Sequence, residues 1–346
     1  MLHIGMDLSR QRLDVHVLDE AGTTVEVSAW VPDASGLGAM VAHMTRYGPA
    51  VLGVIESMNG ARFVHDTLEL AGWSVEIADA QKVKGLAPLA CKTDRIDARV
   101  LAELSRRDLV PAIWLPPPRV RAEREQARWR LHLVRHRTAL KNRIHASLLA
   151  FGHPCPVADL FGARGRALLA QLALPEPWAS DVGAAVALID TLDQQIHAVE
   201  ATLRATGVDH PYVPLLMTIP GVGWILGYTI AAELGEIGRF ASPKKLCGYT
   251  GLCPTVYQSG GKDHRGSLAK NGPQYLRWAL IEAATHAARH PAYAAHYQRT
   301  AQRLGRQRGK KVARVELART LAEAMWYMLT RQVPFAPARP SATVAA

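Results

Sequence analysis

The stretch LHIGMDLSRQRLDVHVLDEAGTTVEVSAWV, residues 2–31, holds three apolar runs of different texture. Leu2 to Asp7 is short, apolar and closed by an acid. Leu13, Val15 and Val17 alternate within Arg12 to Leu18, and Val25 to Val31 alternates again. A period of two is what a strand with two unlike faces requires, and Asp19-Glu20-Ala21-Gly22 between the second and third runs is a turn signal. The stretch reads as a three-stranded antiparallel meander. Leu37, Met40, Val41 and Met44 then recur at helical spacing, Val51 to Ile55 is a fully apolar strand closed by Glu56, and a helix near Ala61 to Ala71 precedes a strand from Trp73 to Ala78 and further helix. Three strands followed by alternating helix and strand predict an α/β layer with a mixed sheet over residues 1 to about 115.

At 346 residues the chain is long enough for two or three domains, each with its own core. No apolar run approaches the roughly 20 residues of a membrane span. MLHIGMDLS lacks the basic segment and apolar core of a secretory signal, and the four cysteines have no metal-ligand spacing. A cytoplasmic, nucleoid-associated protein with reduced thiols and no membrane partner is expected. The net charge of +11 favours a polyanionic partner such as nucleic acid, although charge alone also fits an acidic membrane surface.

Four acids stand out in the first domain. Asp7 ends the first strand and Glu56 the fourth, so adjacency of those strands would bring both to one edge of the sheet. KTDRIDARVLAEL, residues 92–104, sets Asp94 and Asp97 three apart at a helix start, where side chains share a face. Four converging carboxylates repel one another unless cations hold them. Oxygen ligands suit Mg²⁺ (or Mn²⁺), and two such ions ~3.5–4 Å apart serve phosphoryl transfer. Taken singly, each acid has a plainer reading, since strand-end Asp is often a turn residue and first-turn acids offset the helix dipole. Asp14, alternating with apolar neighbours, is expected on a solvated face.

Pro116-Pro117-Pro118 reads as a stiff linker. Beyond it, Arg119 to Arg143 carries nine Lys or Arg against two Glu, with an apolar stripe of Trp129, Leu133, Leu140, Ile144 and Leu148. Ala185, Leu192, Ile196, Val199 and Leu203 mark a second long helix. Residues 116–208 therefore predict a helical hairpin or coiled-coil arm. A solvated face explains most charge runs, but this excess points to phosphate contact, with Arg128 and Arg135 among the contacting cations.

Residues 209–335 open with Leu215 to Ile219, then Pro220-Gly221-Val222-Gly223, then an apolar helix. That is the shape of a helix-hairpin-helix, in which Gly221 and Gly223 would expose backbone N–H groups to a phosphate; a tight turn packed in the core explains the same residues. VYQSGGKDHRGSLAKNG, residues 256–272, reads as a Gly-rich connection leading to a helix from Gln274. In it Ser259 is flanked by Lys262, His264, Arg265 and Lys270, and Arg277 follows on the helix; such cations stabilise a phosphate and its transition-state charge. A hydroxyl attacking phosphorus must lose its proton or be bound by a cation, and His264 is either an assistant or a plain surface histidine. Arg299 to Arg319 carries eight cations against Glu316, another candidate phosphate-facing stretch, and the tail from 336 to 346 reads as disordered.

IGMDLS with the hairpin after it, VIES after a later strand, and KTDRIDARVLA resemble the acidic tetrad of bacterial insertion-sequence transposases related to the Piv DNA invertase. Gly-Leu-x-Pro (251–254), Tyr-x-Ser-Gly (257–260), Arg-Gly (265–266), Lys-x-Gly (270–272) and Leu-Arg (276–277) resemble that family's C-terminal transposase domain. One departure is the run Glu56-Ser57-Met58-Asn59-Gly60, where the family commonly has Glu-Ala-Thr-Gly; Glu56 itself stays in place. The resemblance spans nearly the whole chain. It implies a RuvC-like N-terminal domain of the ribonuclease H fold, a helical arm serving oligomerisation and RNA binding, and a mainly helical C-terminal domain. It also implies a serine nucleophile, which maps onto Ser259 rather than Ser267 or Ser242, and, as in bridge-RNA-guided members, an RNA that specifies the target.

The expectation is a DNA recombinase that forms a covalent phosphoserine, with Asp7, Glu56, Asp94 and Asp97 holding the metal. Three rivals share some of its features. A junction-resolvase-like nuclease would use water and the four acids alone. A sugar-kinase-like ATPase shares the IGMDLS hairpin but not the basic charge, the Asp94/Asp97 pair or a second phosphate loop. An architectural DNA-binding protein would need only PGVG and the basic helices.

Overall fold

Leu2–Leu8 (β1), Leu13–Leu18 (β2) and Thr24–Trp30 (β3) form the antiparallel meander that the alternation predicts. Ala34–Met44 (α1), Val51–Glu56 (β4), Ala61–Leu70 (α2), Ser74–Ala78 (β5), Ala80–Leu86 (α3) and Asp94–Arg106 (α4) follow. The sheet order is β3-β2-β1-β4-β5, with β4 parallel to both β1 and β5. The structure, a computed structural model, describes residues 1–48, 50–86, 93–153, 155 and 157–336. Residues 337–346 of the expected disordered tail therefore lie outside the described residues. The chain divides into two compact units, Met1–Leu115 and a second that begins at Pro116.

In the first unit the pleat separates two chemistries. Ile4, Met6 and Leu8 on β1, with Leu13, Val15 and Val17 on β2, point to the face covered by Leu37, Met40 and Met44 of α1 and Val64 and Leu68 of α2. Each such fully buried aliphatic side chain contributes about 1.5–3 kcal/mol. The opposite face of β1 presents His3, Gly5 and Asp7 to α4. Gly5 has the tightest role: a Cβ there would collide with the carbonyl oxygen of Ala98 and the amide of Ala102. Only glycine lets the α4 backbone lie this close to the strand. His3 Nδ1 and Ser105 Oγ, 3.0 Å apart, fix the far end of the same contact.

The second unit contains Pro118–Ala150 (α5), Ala163–Gln171 (α6), Trp178–Gly207 (α7), Val213–Met217 (α8), Trp224–Leu234 (α9), Pro243–Thr250 (α10), Pro254–Ser259 (β6), Lys262–Leu268 (β7), Gln274–Ala287 (α11), Pro291–Arg303 (α12) and Gly305–Arg331 (α13). Pro118 sits at the first helical position of α5, where its missing N–H costs nothing. Helices α5 and α7 pack as a long hairpin. Its outer end closes over Ile144, Leu148, Leu160, Val182 and Ile189. Its inner end joins the large core of the unit, where Ala127 and Leu203 pack with Leu216, Ile230, Leu280 and Leu321. The helical middle and the C-terminal segment thus share one core.

Two readings of α5 are corrected. Trp129, placed on the apolar stripe, is 49% exposed and stacks on His132 instead. The buried register of that half is Val120, Arg124, Ala127 and Leu131. The cation excess also has partners that the helix's own sequence does not show. Arg130 pairs with Glu200 and Arg137 with Asp193 across the hairpin, and Arg143 lies 3.6 Å from Asp181. Counting charges along one helix missed the acids on its neighbour.

Candidate active site

The four predicted acids come to one end of the N-terminal sheet. Met6 of β1 is level with Ile55 of β4, and continuing that register brings Glu56 to the level of Asp7 on the same face. Helix α4 runs along this face. Its residue Ser105 meets His3 and its residues Ala98 and Ala102 lie over Gly5, so its first turn lies over Asp7. Thr93 caps that turn by accepting a hydrogen bond from the amide of Ile96, and Asp94 and Asp97 stand within it. Asp94 is exposed and Asp97 half-buried, so the cluster keeps an open edge. Ser57 to Gly60, the run that departs from the family pattern, makes the turn into α2, with Gly60 at φ 95°. Ser57 Oγ in this turn accepts from the amide of Ala80.

Proximity is written in the titration of Asp7. Its carboxyl is pushed up to about 6, first by burial and then by Asp94, Asp97, Glu56 and Asp14. A carboxylate in that position is short of a cation. All the donors are carboxylate oxygens, which suits a hard divalent ion. Among the described residues no three His, Cys, Asp or Glu side chains are already gathered as a ligand set. The fit therefore rests on donor chemistry and mutual repulsion.

Asp14 corrects the sequence reading. It is 4% exposed, not solvated, and its Cα partner across the hairpin is Asp7. Alternation identified two faces of β2 correctly, but α4 covers the polar one. Arg12 compensates the buried charge with two bonds of 2.9 Å, Nε to Oδ2 and Nη2 to Oδ1. Pairing the first two runs around the turn at Ser9 to Arg12 would have placed Asp14 opposite Asp7 from sequence alone.

Residues 256–272 are not an open loop. Strands β6 and β7 form a β-hairpin whose turn is Gly260-Gly261, both with positive φ (56° and 78°), as a two-residue hairpin turn of right-handed twist requires. Its base is held by Gly251 and Gly272, also at positive φ, where a Cβ would strike the carbonyls of Asn271 and Tyr249 respectively. Arg277, expected to face nucleic acid, donates Nη1 to the carbonyl of Lys270 at 3.2 Å and so clasps this base. Beyond it the ribbon is exposed. Ser259 is the last residue of β6 and pairs with Lys262, while Tyr257 pairs with His264. These four share one face. Arg265 pairs with Val256 on the other face and makes an ion pair of 3.2 Å with Asp263, which corrects its placement beside Ser259. Lys270 is exposed below the ribbon. Ser242 is a helix cap, accepting from the amide of Lys245.

The remaining nucleic-acid candidates divide. Arg128 is half-buried and grips the fully buried Glu233 with two bonds, 2.7 and 2.9 Å, so its charge is met within the protein. Arg135 is exposed beside the ring of Tyr275. Gly221, at φ 87°, lets the turn approach α11, where a Cβ would come within 2.7 Å of the Ala283 carbonyl oxygen. Gly223 precedes α9 with open space around it. The short α8, this turn and α9 follow one another along the chain.

Two family models match the chain, the DEDD-type transposase domain of IS110 over residues 4–153 and the transposase IS116/IS110/IS902 family over residues 213–299. The chain belongs to the IS110/IS116 family of insertion-sequence transposases. It is 27% identical to a probable family 20 transposase of Pseudomonas aeruginosa, over 96% of this chain and 98% of that one. It is 28% identical to the transposase for insertion sequence element IS1328 of Yersinia enterocolitica, over 81% and 82% of the two chains. Over 42% of its length it is 28% identical to the pilin gene-inverting protein of Moraxella bovis, covering 45% of that protein. Membership makes DNA the substrate and strand cleavage and transfer the activity. The mixed sheet and its acidic end are consistent with a RuvC-like DEDD domain, which suggests a divalent metal cofactor. No described helix of this transposase is long and apolar enough to cross a membrane.

Proposed function

We propose that this transposase cuts and rejoins DNA through a covalent phosphoserine at Ser259, with Asp7, Glu56, Asp94 and Asp97 holding Mg²⁺ or Mn²⁺. The observation that carries the metal half is the Asp7 carboxyl, raised to about 6 by burial and by its acidic neighbours. For the nucleophile the support is the family motif together with position. Ser259 stands at the tip of an exposed ribbon, beside Lys262 and on the face that also bears His264.

In this reading Ser259 Oγ forms a bond to phosphorus as the bond from phosphorus to one DNA oxygen breaks. The hydroxyl proton leaves to His264 or solvent, and the departing oxygen takes up a proton. Lys262 offsets charge on the non-bridging oxygens. A divalent ion, when bound by the four acids, supplies charge neutralisation and alignment of a phosphate. The acids and Ser259 belong to different units, and the reading has them act together in a homo-oligomer on DNA. The family resemblance adds a structured, element-encoded RNA for target choice, and a cytoplasmic, nucleoid-associated setting.

One observation favours the alternative of a nuclease that activates water: the four acids lie at one end of the sheet within one unit, whereas Ser259 Oγ has no hydrogen-bond partner among the described residues. Ser259→Ala separates the two. With supercoiled DNA carrying the element ends and Mg²⁺, the parent protein should leave a protein–DNA adduct stable to denaturation, and the variant neither adduct nor joined product. Cutting by the variant at the parent's rate would refute the serine mechanism and establish the water reading.

A further inference from the structure

From Arg299 to Lys311 the chain carries six cations, Arg299, Arg303, Arg306, Arg308, Lys310 and Lys311, and no acid. These residues span the end of α12, the turn at Leu304-Gly305 and the start of α13. Unlike the α5 cations, whose charges are largely met by acids nearby, all six are exposed, and none enters an ion pair among the described residues. The nearest acid in sequence, Glu316, is engaged by His296 at 3.3 Å.

The tip is also rigidly built. Gly309 crosses Ala301 so closely that a Cβ would strike the Ala301 carbonyl oxygen, and Tyr297 donates its hydroxyl to the Lys310 carbonyl at 3.4 Å. Arg299 and Arg303 lie one turn apart on α12, as do Arg306 and Lys310 on α13. Four residues of helix rise about 6 Å, comparable to one or two phosphate intervals of about 3.4 Å along a duplex strand. The segment 299–311 has no aromatic residue, so it offers no platform for stacking unpaired bases.

We propose that the α12–α13 tip is a sequence-independent docking surface for the phosphate backbone of duplex DNA. It rests on the family's action on DNA and not on the chemistry at Ser259.

The test is equilibrium binding of the full-length protein, in EDTA so that no strand is cut, to a short random-sequence DNA duplex over a range of salt. The quadruple variant Arg303→Gln/Arg306→Gln/Lys310→Gln/Lys311→Gln keeps helix propensity and removes four charges. The slope of log affinity against log salt should flatten by about three to four, from about 0.9 per phosphate contact, with at least a tenfold loss at low salt. Arg303→Lys/Arg306→Lys should bind as the parent does. If the quadruple variant loses helicity by circular dichroism, Arg299→Gln/Arg303→Gln, confined to α12, should flatten the slope by about two. An unchanged slope and affinity in the folded variants would overturn the proposal. So would a loss seen with a matching RNA duplex or single-stranded DNA while duplex DNA binds as before.

Discussion

Replacing Asp7 by Asn keeps the shape of the side chain and removes one charge from the acidic end of the sheet. The Asp7 carboxyl titrates at about 6 in the folded chain, against an ordinary 3.8, chiefly through burial and then through Asp94, Asp97 and Glu56. The difference of about 2.2, at 1.36 kcal/mol each, sets an upper bound of about 3 kcal/mol. With Asp94 exposed at the open edge, screening by solvent leaves about half of that. Without metal, the folded chain holds this proton between pH 3.8 and 6 while the unfolded chain has released it. Stability from this group is therefore present at low pH, falls as pH rises through that window, and stays lost above it. In EDTA at pH 7.5, Asp7→Asn should be more stable than the parent, with the two converging near pH 4. Added Mg²⁺ should raise the parent and leave the variant almost unmoved. Hydrogen exchange of the β1 amides, followed against pH with and without Mg²⁺, reads this in the N-terminal unit directly. A variant less stable than the parent in EDTA at pH 7.5, or one that keeps the full Mg²⁺ response, would refute the reasoning.

Two other perturbations separate structural from functional charge and thiol. Arg128→Ala strips the fully buried Glu233 of its two-bonded partner and should cost about 3 kcal/mol or more in denaturant unfolding, whereas Arg135→Ala, at an exposed site, should stay within about 0.5 kcal/mol. Equal costs would show that the Arg128 pair is not what holds Glu233 in the core. Burial and the nearby Glu323 push the Cys247 thiol up to about 12, so at pH 8 it is thiolate in only about one molecule in ten thousand. Iodoacetamide followed by peptide mass mapping should therefore mark the exposed Cys155 first and Cys247 only after unfolding; prompt labelling of Cys247 would contradict its burial.

Much of the N-terminal unit was legible because local pattern and tertiary environment agree there. The two alternating runs became paired strands, and an acid at a strand end met another acid at the neighbouring strand's end. What stayed hidden depended on a second element lying over the first. Asp14 looks solvated until α4 is placed over it, and the cations of α5 look unmatched until α7 supplies Glu200 and Asp193. Residues 256–272 show the same limit differently. Gly260-Gly261 announced a turn, but the flanking Gln258, Asp263 and Arg265 lack the apolar alternation of a packed strand, because this ribbon has no core to face. Placing Ser259 on the same face as Lys262 and opposite to Arg265 required the register, which a one-residue shift would have reversed.

The absent side chain at Gly5 sets a length scale for the chemistry. Because two backbones touch there, the gap between the strand that bears Asp7 and the helix that bears Asp94 and Asp97 is a contact distance, not the slack of a connecting segment. The pitch between the carboxylates is thus gauged by solid packing that begins at Ala98, the residue after Asp97.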